Sequence, residues 1–291
     1  MIPMNAHTSA GLDPRLTPAR PELAAAHLQG LVAADRYAEG TTYAVVRPAV
    51  PVRKEPDPTS PLTTEALFGE TVTVYEIDIE GWAWGQLDAD GYVGWLPAEA
   101  IDLPGAPATH RVRALRTPVF PGPSIKLPPM ELLSFGSRLA IAGTRERFAV
   151  TETGGFVFAD HLAPLDSHED DFVAVATRFL GAAYLWGGRS SLGLDCSGLV
   201  QVALNACGIA APRDTDMQEA ALGNPIAFSG DVGELQRGDL VYWPGHVGIV
   251  EDSETLLHAT AYFMSVVREP LKDALARIAA LSTPVRSVKR L

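Results

Sequence analysis

Residues 184–200 read YLWGGRSSLGLDCSGLV. Leu185 and Trp186 run into Gly187 and Gly188, and a loop of small and polar residues follows. Asp195, Cys196 and Ser197 then stand directly ahead of Leu199, Val200, Ala203 and Leu204, apolar positions at helical spacing. This spacing puts Cys196 at the start of a helix, where unpaired N–H groups and the helix dipole favour a thiolate. The stretch by itself fits two readings, a nucleophile or a small buried thiol. The other cysteine, Cys207, lies near the far end of the same helix, about 16 Å away if the helix is straight. That is beyond disulfide reach, and Cys207 is expected in the core. CxxC zinc spacing is absent.

The 291 residues are 47% hydrophobic and 20% charged, enough for more than one domain with a sizeable core. A net charge of -12 argues against nucleic acid or an anionic membrane as partner. The opening MIPMNAHTSAGLDPRLTPARPELA lacks a basic region followed by an unbroken apolar run, and no apolar run reaches membrane-spanning length. The expectation is a cytoplasmic protein with reduced thiols.

Along the chain, residues 1–40 read as an N-terminal arm with one short helix on Leu23, Ala26, Leu28 and Leu31. Residues 41–105 hold short strand-like segments, including TVTVYEI with Val72, Val74 and Ile77 inward, and WAWGQL and GYVGWL around a turn at Asp88, Asp90 and Gly91. Residues 106–165 repeat this plan with a period of about 65 residues: Glu131 to Gly136 echo Glu65 to Gly69, and a Pro-rich insertion falls at 118–129. Two small β-barrels are expected. From 166 to 291 helices come first, one capped by Ser167 and a third opened by a Thr215/Gln218 capping box. Strands follow at GDLVYW, HVGIV and LLHAT, giving an α+β domain with an antiparallel sheet.

A nucleophilic cysteine needs a base. His246 follows Pro244 and Gly245 at a strand entrance, and His258 lies on the other strand of the same hairpin. One imidazole can take the thiol proton and the other orient the first. A Cys/His/His metal site and two satisfied core histidines are the remaining readings, although no ligand spacing matches a zinc form.

The ordered set YLWGG, LDCSGLVQ, GDLVYW with GHVGIV, and LLHAT resembles the NlpC/P60 family of cysteine peptidases. The two upstream repeats, each with an E-x-L-x-x-G-like turn and paired strands, resemble bacterial SH3-like domains. The whole resembles γ-D-glutamyl-L-diamino acid endopeptidases of murein peptide recycling. The resemblance implies two SH3-like barrels followed by a papain-like α+β domain. It implies Cys196 as nucleophile, His246 as base, His258 as orienting residue and Tyr184 at the oxyanion. It implies that Glu65, Tyr92 and Asp195 receive the free amino group of the peptide, and that Ser197, Arg213, Asp214 and Thr215 contact the D-glutamyl side. The implied partners are short murein peptides such as L-Ala-γ-D-Glu-diamino acid, with no cofactor and no metal. A related cysteine amidase or acyltransferase and a non-catalytic wall-binding protein are the alternatives. The diamino acid and the oligomeric state are left open by the sequence.

Overall fold

The computed structural model describes residues 11–281 and 284–291. The segment expected to be helical near the N-terminus is instead a three-stranded sheet of Ala19–Arg20, Leu23–Ala25 and Tyr37–Ala38, with a single 3-10 turn at Ala26–Leu28. Leu23, Ala24 and Ala25 are buried consecutively, which a helix face of period 3.6 does not produce. Gly30 takes φ +84°, which closes the turn. Leu23 packs with Trp84 and Trp95, and the Arg20 guanidinium sits 4.7 Å from the centroid of each of those rings. The arm is thereby fastened to the next sheet by apolar and cation–π contact. Residues 1–10 of the expected arm lie outside the described residues.

Seven antiparallel strands follow in the order Ile101–Asp102, Thr41–Val45, Thr71–Ile77, Trp82–Leu87, Val93–Pro97, Ala49–Arg53 and Leu62–Leu67. Alternate residues Val50, Val52, Val72 and Val74 meet Ala66, Ala83 and Leu96 in one core. A bulge between Val74 and Glu76 breaks the alternation, so Ile77, expected inward, points to solvent.

The second segment forms a three-stranded and a five-stranded sheet. The shared turn of the two segments has a common physical basis: Gly69 and Gly136 both adopt left-handed backbone, φ +76° and +87°. At Gly69 a side chain would meet the Arg138 carbonyl oxygen at 2.1 Å, so the first segment touches the second there.

The C-terminal part has four helices among the described residues: α1 (Phe172–Thr177), α2 (Cys196–Ala206), α3 (Thr215–Ala221) and α4 (Leu271–Leu281). Asp171, not Ser167, caps α1, accepting from Val173 N and Ala174 N. The Ser167 hydroxyl donates to the Pro164 carbonyl. The expected capping box on α3 does not form, because the Gln218 amide turns inward to the carbonyls of Ser197 and Pro212. A six-stranded antiparallel sheet runs Asn224–Ile226, Ser287–Arg290, Leu240–Trp243, His246–Val250, Thr255–Thr260, Ser265–Pro270. Leu199, Ala203 and Leu204 of α2 pack on Val247, Ile249, Leu257 and Ala259, and α4 covers the opposite face through Leu271, Ala274 and Ile278. Cys196 and Cys207 are both free. No helix of the described residues is long and apolar enough to cross a membrane.

Candidate active site

Asp195 is the N-cap of α2. Its Oδ1 accepts from Gly198 N at 2.7 Å, which fixes Cys196 in the first helical turn. Cys196 Sγ lies 3.8 Å from Thr215 Oγ1 and 4.0 Å from the Gly245 carbonyl oxygen. Val247 N also points a hydrogen bond at the sulfur, so the thiol is bracketed by the neighbours of His246. Burial, then the Asp195 carboxylate, push the thiol up to about 11, and these outweigh the donors of the helix terminus and of Val247. The burial of Cys196 therefore favours the thiol over the thiolate expected from the helix start alone.

Ile249 pairs with Leu257, a register that puts His246 and His258 on one face of the sheet. Their rings meet at 3.0 Å, His246 Nε2 to His258 Nδ1. His258 Nε2 lies 3.1 Å from Glu269 Oε2, and Arg277 donates to both Glu269 oxygens at 2.8 and 2.6 Å. Burial, then His258, lower His246 to about 3; burial, then Arg277, lower His258 to about 4. Both rings are neutral at pH 7. Between their ordinary value of 6.5 and these lowered values the unfolded chain binds protons that the folded chain does not. Stability is therefore expected to be complete above pH 6.5, to fall as pH drops from 6.5 toward the folded values, and to level off below them. Urea melts from pH 7 to 5 measure this, and a His246→Gln/His258→Gln variant should have a flatter slope. Equal slopes in the two proteins would refute the assignment.

Tyr184 is half-buried. Burial, then Cys196 and Asp195, push its phenol upward, so it is a neutral donor near the thiol. Arg213 is fully buried and donates to both Asp195 oxygens at 2.9 and 2.7 Å, to Ser197 Oγ at 3.0 Å and to Thr64 Oγ1 at 3.0 Å. Gly187 N takes the remaining side of Asp195 at 2.8 Å. The structure thus gives Asp195 another occupation than the ammonium ligand the resemblance implies: its charge is matched by Arg213 and its lone pairs are filled.

The first sheet reaches this site through Leu62–Leu67. Gly187, at φ +76°, has no room for a side chain, since a Cβ would lie 2.7 Å from Leu62 Cγ. Glu65 is buried, and its Oε2 accepts from Arg189 N at 2.9 Å. Burial raises its pKa above the ordinary carboxylate value, against the Arg189 and Ser190 hydrogen bonds. Tyr92 is also buried and donates to Asp214 Oδ2 at 3.0 Å, an oxygen that also accepts from Arg15 at 2.8 Å. Burial raises Asp214, and the Arg213, Tyr92 and Arg15 contacts oppose it.

Nine of the eleven residues singled out from the sequence fall in four directly contacting sets: Cys196 with Thr215, His246 with His258, Asp195 with Ser197 and Arg213, and Tyr92 with Asp214. Glu65 and Tyr184 adjoin these sets through the Arg213 and Cys196 charges. Sequence reasoning missed Glu269, Arg277, Arg189 and Arg15. The sequence signal for Glu269 is its parity, because His258 pairs with Val267 and Glu269 lies two residues on, diagonal on the same face. Arg15 pairs locally with Asp13, but its reach to Asp214 and Asp216, about two hundred residues away, leaves no local signal. Among the described residues no three or more His, Cys, Asp or Glu side chains converge as a metal cage.

Residues 181–277 match the NlpC/P60 family, and residues 52–101 match the bacterial dipeptidyl-peptidase Sh3 domain. A gamma-D-glutamyl-L-lysine dipeptidyl-peptidase of Bacillus cereus is 27% identical over 253 residues, 77% of this chain and 72% of that one. The Bacillus subtilis protein of the same name is 28% identical over 222 residues, 68% of this chain and 72% of that one. The solved structure of an NlpC/P60 family protein from Bacillus cereus has the same fold, with a TM-score of 0.71 at 19% identity, over 86% of this chain and 99% of that one. The chain thus carries an NlpC/P60 domain, with a bacterial dipeptidyl-peptidase Sh3 domain ahead of it.

Proposed function

We propose that this protein is a cysteine endopeptidase that hydrolyses the γ-D-glutamyl–L-diamino acid bond of short murein peptides with a free N-terminal L-Ala. In this reading two SH3-like barrels precede a papain-like domain, and the first barrel closes the amino side of the cleft. Cys196 Sγ attacks the γ-D-glutamyl carbonyl carbon as its proton passes to His246. Both groups start neutral, so proton transfer accompanies attack. The Tyr184 hydroxyl and the Cys196 backbone N–H receive the oxyanion. His246 then gives its proton to the leaving amine, and water, deprotonated by the same imidazole, cleaves the thioester. His258 holds the His246 ring. Thr215 meets the D-glutamyl portion, and Arg213, whose N–H groups are taken by Asp195, Ser197, Thr64 and the Gly188 carbonyl, holds that wall in place. Glu65 faces the substrate ammonium, since Asp195 is already matched by Arg213, and Tyr92 closes the end of the cleft. The diamino acid is meso-diaminopimelate or lysine, and the relatives named for L-lysine support this class.

The observation that carries this reading is the bracketing of the Cys196 thiol by the neighbours of His246, beside the His246–His258 pair. Incubation with L-Ala-γ-D-Glu-L-Lys and its meso-diaminopimelate counterpart tests it. Release of the L-Ala-γ-D-Glu dipeptide is expected. In single-turnover assays His246→Ala is expected to lower acylation by about 10²- to 10⁴-fold, and His258→Asn by less, because an amide can still orient the ring. Wild-type acylation in His246→Ala would remove that residue from the base role.

A further inference from the structure

The histidine pair does not end at His258. Glu269 is buried on the neighbouring strand, its Oε2 3.1 Å from His258 Nε2, and Arg277 of α4 grips both its oxygens. Arg277 is itself held from outside, 4.4 Å over the Tyr262 ring. On the sheet side, His246 faces His258, Glu269 and Arg277. On the α2 side, Gly245 and Val247, the residues flanking His246, bracket the Cys196 sulfur.

Hydrogen-bond parity runs through this chain of groups. Arg277 only donates, so both Glu269 oxygens are acceptors and the side chain is a carboxylate. His258 Nε2 must then carry the proton in its bond to Glu269. A neutral imidazole has one N–H, which leaves His258 Nδ1 as an acceptor. His246 Nε2 must therefore donate to it, and His246 Nδ1 is left with a lone pair. A base needs that lone pair, and nothing on His246 itself selects it.

We propose that Glu269, clamped by Arg277, is a positioning residue that sets the tautomers of both histidines and stabilises the imidazolium formed at His246. This rests on the reading of His246 as the base. Glu269 never touches substrate; it acts through His258. The other reading is an ion pair that only pins α4 to the sheet edge.

The tautomers are measurable without turnover. In the Cys196→Ala protein, ¹⁵N-resolved spectra of the imidazoles at pH 7 are expected to place the proton of both rings on Nε2. A His258 ring protonated on Nδ1 overturns the proposal, whatever the activity assays say about His246. Kinetics give the second readout. Glu269→Gln is expected to lower kcat by about 10- to 100-fold with little change in KM. It leaves the Arg277 cation unmatched beside the pair, so the acid limb of kcat/KM should move to lower pH. Arg277→Gln leaves the carboxylate unmatched, so the limb should move to higher pH. A pinning role predicts loss of thermal stability in both variants and no opposite movement. Wild-type kcat in a folded Glu269→Gln protein, or limbs that shift in the same direction, refutes the assignment. Should Glu269→Gln not fold, the tautomer spectrum of the Cys196→Ala protein and the Arg277→Gln profile still decide it.

Discussion

Replacing Cys196 with alanine is expected to lower kcat/KM on L-Ala-γ-D-Glu-diamino acid tripeptides by about 10⁴-fold or more, because no other group can form the acyl-enzyme. The fold should survive. The side chain is small and buried at a helix start whose cap, Asp195, is untouched. Substrate binding measured by calorimetry should also persist, which separates lost chemistry from lost structure. Cys207→Ser is the control. Cys207 closes the far end of α2, partly buried against the core, and its loss should leave kcat unchanged. Alkylation adds a pH signature. A thiol pushed up to about 11 by burial and Asp195 should react slowly at neutral pH and faster as pH rises. An active Cys196→Ala enzyme would falsify the cysteine-peptidase mechanism; rapid inactivation at pH 6 would show a preformed thiolate and refute the neutral starting state.

The second large effect concerns the amino end of the substrate. The wild-type enzyme is expected to prefer free L-Ala-γ-D-Glu-diaminopimelate over its N-acetylated form, and Glu65→Gln should lose most of that preference. Glu65 is buried on the strand Leu62–Leu67 and is held by Arg189 N, and Asp195 has no oxygen to spare. An ammonium meeting a buried carboxylate is worth about 2–5 kcal/mol when truncated, so the preference should be roughly 30-fold to several thousand-fold. Gln preserves the shape and the acceptor for Arg189 N, so the loss isolates the charge. The pH dependence has a definite sign. Burial raises the Glu65 pKa, so the carboxylate is lost earlier than usual on acidification. KM for the free amine should rise toward acid pH while KM for the acetylated peptide does not. Equal kcat/KM on the two substrates in the wild type sinks the closed-cleft reading.

Local physics made much of this legible. A cap residue ahead of helically spaced apolar residues placed Cys196. Alternation and the turn after Pro244 placed His246 and His258 on adjacent strands, and the register Ile249–Leu257 then puts them on one face. The left-handed glycines Gly69 and Gly136 mark the same turn in both repeats. Where two local signals competed, tertiary packing chose between them. The apolar run Leu23–Ala25 became a strand because Trp84 and Trp95 cover it, and the Gln218 side chain left its helix to meet buried carbonyls of Ser197 and Pro212.

What the sequence determined by itself is the elements that hold Cys196, His246 and His258, because capping, turn geometry and side-chain periodicity act within a few residues of chain; the roles proposed for these and the other site residues rest on the family resemblance. What only the tertiary structure decided is the charge state and partner of each group. Arg213 takes Asp195, Arg15 reaches Asp214 and Asp216, and Arg277 holds Glu269 behind His258. Ion pairs form between groups that burial brings together, irrespective of their separation along the chain, and desolvation grows with the number of elements packed around a group. Neither quantity leaves a period or a motif in the sequence.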